Sequence, residues 1–344
     1  MLFPVAIYSP RALADYSLPE SLSQERLDEI LESRECNACI ILQADLSELD
    51  LSELNLENSI IRDSQFIGSD LTRSYLGQVI VTYSNFSGAD LSFVDFRRSN
   101  LNSNNFEDAN LAGVNLQGSS IAGKFRNAFL GDVDLSDTEI RRADFAGANL
   151  TEADFSSSNL EAVSFINADL RGVVFDQATF GSVVYSDRTQ LPEGFSAQEA
   201  GMYLLAPYSS VVDVYIALSL QLDLKALDLT GMNASHSKFN ADFSRATLDQ
   251  ALFEEADLFR SDFTGASAVA TCFVNAQLEL ANLTRANFQA TDLRGTDLRD
   301  ATIDDTNFRD AIYNAETQFP EEFNPEAAGA IFSDEVVEGC PPIQ

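Results

Sequence analysis

The stretch that decides the fold runs from Ala143 to Glu152 and reads Ala-Asp-Phe-Ala-Gly-Ala-Asn-Leu-Thr-Glu. It contains one pattern twice: a small residue, an Asp or Asn, a large apolar residue, and two linking residues. Neither the period of a helix nor that of a strand produces this spacing. A period of five residues predicts a four-sided coil, with one pentapeptide on each side and about 20 residues in each turn.

The pattern extends in both directions from this stretch. Its large apolar residues, the centres, recur at every fifth position over 41–121 and, after a slip of one residue near Gly123, over 125–185. A second array covers 243–313, preceded by a lead-in over 224–239 that lies one register off. Large and small residues are expected to point inward, because four walls must share one narrow and densely packed interior. The Asp or Asn and the linking residues are expected to point outward.

These repeats resemble the pentapeptide-repeat family, whose motif is loosely A-[D/N]-[L/F]-x-x and whose fold is a right-handed quadrilateral β-helix. The resemblance covers roughly 41–185 and 224–313, which is most of the chain. It implies an all-β solenoid of pentapeptide repeats in two modules, with short capping helices. It implies no single activity, because members of the family act in different ways.

A second, longer repeat suggests how the modules end. Thr189 to Phe195 reads Thr-Gln-Leu-Pro-Glu-Gly-Phe, and Thr317 to Phe323 reads Thr-Gln-Phe-Pro-Glu-Glu-Phe. We interpret both as terminators in which Pro stops the coil and Phe covers its open end. Similar terminators occur in the branch of the family that is abundant in cyanobacteria.

The repeats together predict five segments. They are an N-terminal segment with a capping helix (1–40), pentapeptide module 1 (41–185), a terminator and connecting segment (186–223), pentapeptide module 2 (224–313), and a terminator with an acidic C-terminal tail (314–344). Alternating apolar residues over 212–224 favour an extended strand in the connecting segment, and a buried helix is the alternative.

Residues one full turn apart should lie above one another. One inward column is therefore expected despite the slip near Gly123, which we interpret as a local adjustment at a corner. The column consists of Phe66, Phe86, Phe106, Phe125, Phe145, Phe165 and Tyr185. Stacked aromatic residues of this kind indicate a core and no cofactor site.

The charge balance limits the classes of partner. The 344 residues include 54 Asp and Glu but 21 Lys and Arg, so the formal net charge is −33. Direct binding to nucleic-acid phosphates or to anionic lipid needs a basic surface, which this chain lacks. The sequence has no apolar run long enough for a transmembrane helix.

The sequence offers little material for catalysis or metal binding. Its one histidine, His236, stands alone at an expected surface position, and no phosphate-binding loop or nucleophile motif is present. Cys36 and Cys39 form a Cys-x-x-Cys pair that is consistent with a disulfide, half of a metal site or a redox motif. We therefore predict no enzyme, no catalytic residue, no metal and no cofactor, with Cys36 and Cys39 as a candidate disulfide.

The first 14 residues end in an Ala-Leu-Ala sequence but lack a basic start and a long apolar stretch. Two interpretations remain, a degenerate export signal for the periplasm or thylakoid lumen and an ordinary tail of a cytoplasmic protein. The sequence slightly favours export.

The leading functional hypothesis is a non-catalytic protein-binding or scaffold protein that presents flat acidic walls to a partner protein or complex. Aromatic residues outside the inward positions are candidates for the partner-binding surface: Tyr75, Tyr83, Phe93, Phe129 and Phe259. The alternative is a DNA mimic that inhibits or protects a type II topoisomerase, as some relatives do. It draws on the net charge of −33, which, spread over about 12 coils roughly 4.8 Å apart, approaches the charge density of duplex DNA. Separately, outward columns such as Asp50, Asp70 and Asp90 recur one turn apart, and repulsion between neighbours could raise their carboxyl pKa values.

Overall fold

The computed structural model describes residues 23–209, 224–238, 240–335 and 340. Within them the chain forms one helix, α1 (Gln24–Ser33), and thirteen short strands. The strands are β1 (Ile40–Leu42), β2 (Ile60–Arg62), β3 (Ile80–Thr82), β4 (Asn100–Asn105), β5 (Ser120–Lys124), β6 (Glu139–Asp144), β7 (Asn159–Glu161), β8 (Ser164–Phe165), β9 (Thr179–Gly181), β10 (Val184–Ser186), β11 (Tyr203–Leu205), β12 (Ile312–Tyr313) and β13 (Ile331–Phe332). The expected strand or helix over 212–224 falls almost wholly outside the described residues.

The repeat forms the β-helix that the sequence predicts, since strands pair in parallel with a register of one turn. Ile40, for example, pairs with Ile60, and Ile60 pairs with Ile80. Most of the described centres and of the small residues two positions before them are buried, as Phe86 and Ser84 show, whereas Phe175 and Phe180 are half-buried. The fold is thus an all-β, right-handed quadrilateral solenoid with one short helix in the described residues.

The preference for Asp or Asn before each centre has a local cause. The side-chain oxygen of Asp70 accepts a hydrogen bond from the backbone N–H of Thr72 at 2.9 Å, and Asp90 accepts one from Ser92 at 2.9 Å. This Asx arrangement satisfies an N–H that the ladder between coils leaves unpaired. The residue two after each centre then turns the corner in the left-handed conformation, for example Asp63 with φ 52°.

The small inward residues also bond the coils together. Ser99 donates its hydroxyl hydrogen to the carbonyl of Leu76 at 2.8 Å and accepts from the N–H of Val79 at 3.1 Å. Both partners lie on the preceding coil. A buried serine can therefore occupy the interior without leaving a polar group unpaired.

Contacts divide the chain into two compact units. Unit 1 contains 1–143, 148–159 and 170–178, and unit 2 contains 144–147, 160–169 and 179–344. The boundary lies inside the segment that the sequence assigns to module 1. The helix α1 lies in unit 1, begins at the N-cap Ser23 and buries Ile30.

The expected aromatic column is present within each unit. In unit 1 Phe66, Phe86, Phe106 and Phe125 stack in order, with neighbouring ring centroids 4.5, 5.0 and 4.9 Å apart. In unit 2 Phe145 stacks on Phe165 at 5.6 Å, and Tyr185 pairs with Phe165 in strand register. All seven residues of the column are buried.

Both terminators lie in unit 2, and their structure corrects the expectation that Pro stops the coil. After the first terminator β11 pairs in parallel with β10, and after the second β13 pairs with β12. Each terminator therefore replaces one turn of pentapeptides and returns the chain to the same wall. Phe195 lies 6.0 Å from the ring of Phe180, and Phe323 lies 5.3 Å from that of Phe308.

Candidate functional site

One wall of unit 1 carries exposed aliphatic side chains on consecutive coils. We call it the isoleucine wall, defined as the outward residues beside the buried centres Ile41, Ile61, Val81, Leu101 and Ile121. These residues are Ile40, Leu42, Ile60, Arg62, Ile80, Thr82, Asn100, Asn102, Ser120 and Ala122. Ile40, Ile60 and Ile80 are 53, 38 and 44% exposed and stand above one another in strand register.

The isoleucine wall differs in charge from the rest of the unit. None of its ten outward residues is a carboxylate, although the chain carries a formal charge of −33. The other three walls over the same coils have carboxylates at equivalent positions, such as Asp45, Asp50 and Asp95. Apolar content with depletion of acidic residues is characteristic of the centre of protein–protein interfaces.

An aromatic residue stands at the edge of the isoleucine wall. Tyr83 follows Thr82 at the corner, is 60% exposed, and has the Arg62 guanidinium carbon 5.6 Å from its ring centroid. It also borders an open depression of about 520 Å³, whose lining includes Asn104, Gly123 and Lys124. A rigid aromatic ring next to a depression is a common anchor point at interfaces.

The other predicted surface aromatics do not gather on this wall. Tyr75 lies on the wall that carries Asp95, Phe93 lies at the corner before that wall, and Phe129 lies on the wall opposite the isoleucine wall. Phe259 belongs to unit 2, where the Arg260 guanidinium carbon lies 5.0 Å from its ring centroid. All four are exposed, and the three in unit 1 lie off the isoleucine wall.

The opposite wall of unit 1 carries the expected carboxylate column. Asp50, Asp70 and Asp90 are paired in register, and Asn110 continues the column and donates to Asp90 at 3.0 Å. The hydroxyl and backbone N–H of Ser52 lower the pKa of Asp50, and Arg34 adds to that effect. At Asp50 the local hydrogen bonds therefore lower the carboxyl pKa, whereas the sequence suggested that repulsion along the column could raise it.

The cysteines form two disulfides. Cys36 is bonded to Cys39, with Cα atoms 5.4 Å apart, and Cys272 is bonded to Cys340 across 68 residues of sequence. The sequence indicated the first pair but gave no signal for the second, because Cys340 lies outside the repeats. His236 is exposed at a corner and lies 3.1 Å from the carboxylate of Glu255.

The described residues contain no cluster of His, Cys, Asp or Glu suited to a metal ion. Among the same residues, no helix is long and apolar enough to cross a membrane.

The family model for pentapeptide repeats matches the chain in eight copies. The matched segments are 39–78, 82–120, 124–156, 239–279 and 271–310, more than half of the chain. A comparison with curated proteins finds no match.

Solved structures give further similarities. HetL, a pentapeptide repeat protein involved in heterocyst differentiation regulation in the cyanobacterium Nostoc sp. strain PCC 7120, is 22% identical over 84% of this chain and 96% of its own, with a TM-score of 0.21. QnrB1, a plasmid-mediated fluoroquinolone resistance protein, is 12% identical over 86% of this chain and 90% of its own, with a TM-score of 0.26. A pentapeptide repeat protein of the Arabidopsis thaliana thylakoid lumen is 23% identical over 28% of this chain and 70% of its own, with a TM-score of 0.20.

Proposed function

The chain belongs to the pentapeptide-repeat family, and from that premise we propose that it is a non-catalytic protein-binding or scaffold protein. Its walls are flat sheet surfaces, which suit contact with another protein better than enclosure of a small substrate. The partner that we propose is a protein or a multiprotein complex, and the chain needs no cofactor.

The isoleucine wall is the observation that supports this proposal most directly. Leaving aliphatic side chains exposed forgoes the free energy of their burial, roughly 25 cal/mol for each Å² of apolar surface. The three isoleucines stand in register on consecutive coils, so each leaves part of this free energy unrealised. The wall also has no carboxylate that a partner would have to desolvate on binding. A partner that buries Ile40, Ile60 and Ile80 recovers it.

Tyr83 lies at the edge of the isoleucine wall beside the depression, where a partner side chain could make a specific contact. A partner side chain that enters the depression beside Tyr83 would pack against its ring while the isoleucines exclude water around it. Tyr75, Phe93, Phe129 and Phe259 remain candidate contacts for further surfaces of the same partner or for other partners.

The experiment begins with affinity purification from the native host and identification of the proteins retained. Binding of a retained protein is then measured with purified components. We expect Ile60→Asn combined with Ile80→Asn to weaken binding at least about tenfold, a change of about 1.4 kcal/mol. Asn100 occupies the equivalent position on the next coil, in register with Ile80, so this replacement is compatible with the coil.

One matched control and one further variant accompany this double substitution. Leu280→Asn in unit 2 also removes an exposed aliphatic side chain, and it should leave binding unchanged. Tyr75→Ser combined with Phe93→Ser tests whether the dispersed aromatics contribute, and some weakening is expected with the fold intact. Equal binding by wild type and the isoleucine variant, with both folded, would contradict the assignment of this wall.

The second candidate function is DNA mimicry toward a type II topoisomerase, which is favoured by the register of Asp50, Asp70 and Asp90. Coils about 4.8 Å apart place these carboxylates at a regular spacing. Binding through such a column should weaken steeply with salt. We expect no inhibition of gyrase supercoiling at micromolar concentration. Inhibition that disappears with salt, and with all three aspartates changed to Asn, would reverse the ranking of the two functions.

A further inference from the structure

The chain of unit 2 turns back along its own wall after β13. The C-terminal strap, defined as Ile331–Glu335 together with Cys340, follows the outward residues Ile312, Asp292 and Cys272. Bridges between coils place these three residues above one another. Arg294 donates from Nη1 to the carbonyl of Glu335 at 3.0 Å, and Cys340 is bonded to Cys272. The strap is therefore attached to three successive coils.

The strap makes few other contacts with the described residues. Ile331 and Ser333 donate their backbone N–H groups to Ala311 and Tyr313 at 2.7 and 2.8 Å, and Cys340 donates to Glu254 at 3.3 Å. The side chains of Ile331 and Phe332 are about half exposed, 51 and 49%. The ring of Phe332 also packs edge-on against that of Tyr313, with centroids 5.5 Å apart. Beyond β13, the hydrogen bond from Arg294, the one to Glu254 and the disulfide attach the described part of the strap to the coils.

A depression separates the strap from the coils beneath it. Its volume is about 340 Å³, and its lining includes Val274, Asn314, Asp334 and Glu335. Val274 occupies an outward position but is 5% exposed next to the strap. Release of the strap would uncover Val274 and the adjacent Cys272.

The two cysteines of this disulfide differ in exposure. Cys272 is 3% exposed, whereas Cys340 is partly exposed. Exchange with a thiol requires direct approach to one sulfur, opposite the bond that breaks. Since Cys340 is the more exposed residue of the pair, we expect an external thiolate to attack its sulfur.

We propose that the Cys272–Cys340 disulfide is a reversible modification site for a protein dithiol of the Cys-x-x-Cys class. Its reduction releases the C-terminal strap while the coils of unit 2 stay folded. The coils keep their own hydrogen bonds, such as that from the N–H of Phe273 to Asp292 at 2.8 Å. This hydrogen bond does not involve the strap.

The exchange proceeds in two steps. A thiolate of the dithiol attacks Sγ of Cys340, and the electron pair of the disulfide leaves on Sγ of Cys272, which then takes a proton from water. The second thiolate of the dithiol attacks the mixed disulfide and releases Cys340 as a thiolate, which is protonated in turn. Two electrons and two protons pass to the protein cysteines, and the dithiol becomes a disulfide.

The test uses the full-length oxidised chain and two probes, a Cys-x-x-Cys dithiol protein and its Cys-x-x-Ser variant. The variant cannot complete the second step, so it should be trapped on Cys340, as peptide mass mapping will show. After reduction by the intact dithiol, amide hydrogen exchange at Ile331 and Ser333 should accelerate at least about tenfold. Exchange at Phe273 and Leu293 should stay unchanged.

Two variants separate this site from general effects of reduction. Cys36→Ser with Cys39→Ser leaves Cys272–Cys340 as the sole disulfide and should respond as the wild type does. Cys340→Ser should show the fast exchange of the strap without any reductant. Trapping on Cys272, resistance of the bond to the dithiol under native conditions, or unchanged exchange at Ile331 after proven reduction would each overturn the proposal.

Discussion

Phe106 and Phe125 stack with their ring centroids 4.9 Å apart, although they are one residue closer in sequence than Phe86 and Phe106. The missing residue is absorbed at the preceding corner. There the register between β4 and β5 shifts, and Asn104 pairs with Gly123. The column of phenylalanines therefore continues on the same wall.

Gly123 is the residue that makes this shortened corner possible. Its φ is +145°, and a Cβ at this position would lie 2.2 Å from the carbonyl oxygen of Asn104. We expect Gly123→Ala to lower the free energy of unfolding by at least about 2–3 kcal/mol. Chemical denaturation of the variant and the wild type measures the difference.

Gly88→Ala is the matched control for this prediction. Gly88 also has a positive φ, +65°, but nothing lies within 4 Å of the added Cβ. Its cost should be limited to about 1–2 kcal/mol for the left-handed conformation. If both variants lose the same stability, the close approach to Asn104 is not what restricts position 123.

The aromatic column should contribute strongly to stability. Phe106 is fully buried between Phe86 and Phe125, so Phe106→Ala should cost about 3–5 kcal/mol through lost burial and a cavity. Phe106→Leu should cost less, because leucine occupies the centres of other walls, such as Leu91. Denaturation midpoints of the two variants provide the test, and equal midpoints would contradict a role for the ring itself.

Substitution of an inward serine should lower stability for a different reason, the loss of hydrogen bonds between coils. Ser99→Ala removes the hydroxyl that joins the carbonyl of Leu76 to the N–H of Val79, and these buried groups then keep the long 3.4 Å hydrogen bond between them. We expect a loss of about 1–3 kcal/mol despite the minimal change in volume. Ser87→Ala at a half-buried outward position should change stability by less than about 0.5 kcal/mol. Similar losses in the two variants would argue against the hydrogen-bond explanation.

The period of five residues was sufficient to predict the fold, the buried centres and the pairing of residues one turn apart. The period is informative because every coil must fill the same narrow interior. Each coil therefore needs residues of similar size and polarity at equivalent positions. The isoleucine wall could have been found in the same way, since Ile40, Ile60 and Ile80 are one turn apart at positions that are usually Asp or Asn. The departures from the pattern that mark this wall are aliphatic, whereas the aromatic departures Tyr75, Phe93 and Phe129 lie off it.

Features outside the repeat could not be predicted. The bond between Cys272 and Cys340 depends on a tail that leaves the five-residue period, so no spacing rule brings these residues together. The strands that follow the terminators, β11 and β13, could not be predicted for the same reason. Pro192 and Pro320 interrupt the pentapeptide pattern, but the chain returns to the ladder after a loop whose path the pattern does not encode.

The Cys36–Cys39 disulfide leads to a prediction about the cellular compartment of the protein. Structural disulfides persist in oxidising environments, and Cys36 is bonded to Cys39. If the protein is exported, Cys36 and Cys39 taken directly from the native compartment should resist alkylation until a reductant is added. Immediate alkylation of both thiols in a rapidly quenched extract would count against export.

The last prediction concerns the acid stability of unit 2. Hydrogen bonds from the Arg299 guanidinium lower the pKa of Asp297, with a smaller contribution from the backbone N–H of the same residue. A carboxyl whose pKa is lower in the folded state stabilises the fold above its unfolded pKa of about 3.9, and this stabilisation is lost as the pH falls through the lower folded value. Arg299 is half exposed, so the contribution at neutral pH should be at most about 1 kcal/mol.

Asp297→Asn isolates this contribution, because asparagine keeps the hydrogen bond to the N–H of residue 299, as Asn282 does with Thr284. The difference in unfolding free energy between wild type and variant should be constant above about pH 5 and should shrink below about pH 4. Relief of repulsion within the acidic chain changes both proteins almost equally, so it cancels from the difference. Asp132→Asn, at an exposed corner, provides the control for removing one charge. A difference that grows as the pH falls would show that the Asp297–Arg299 pair does not stabilise the folded state.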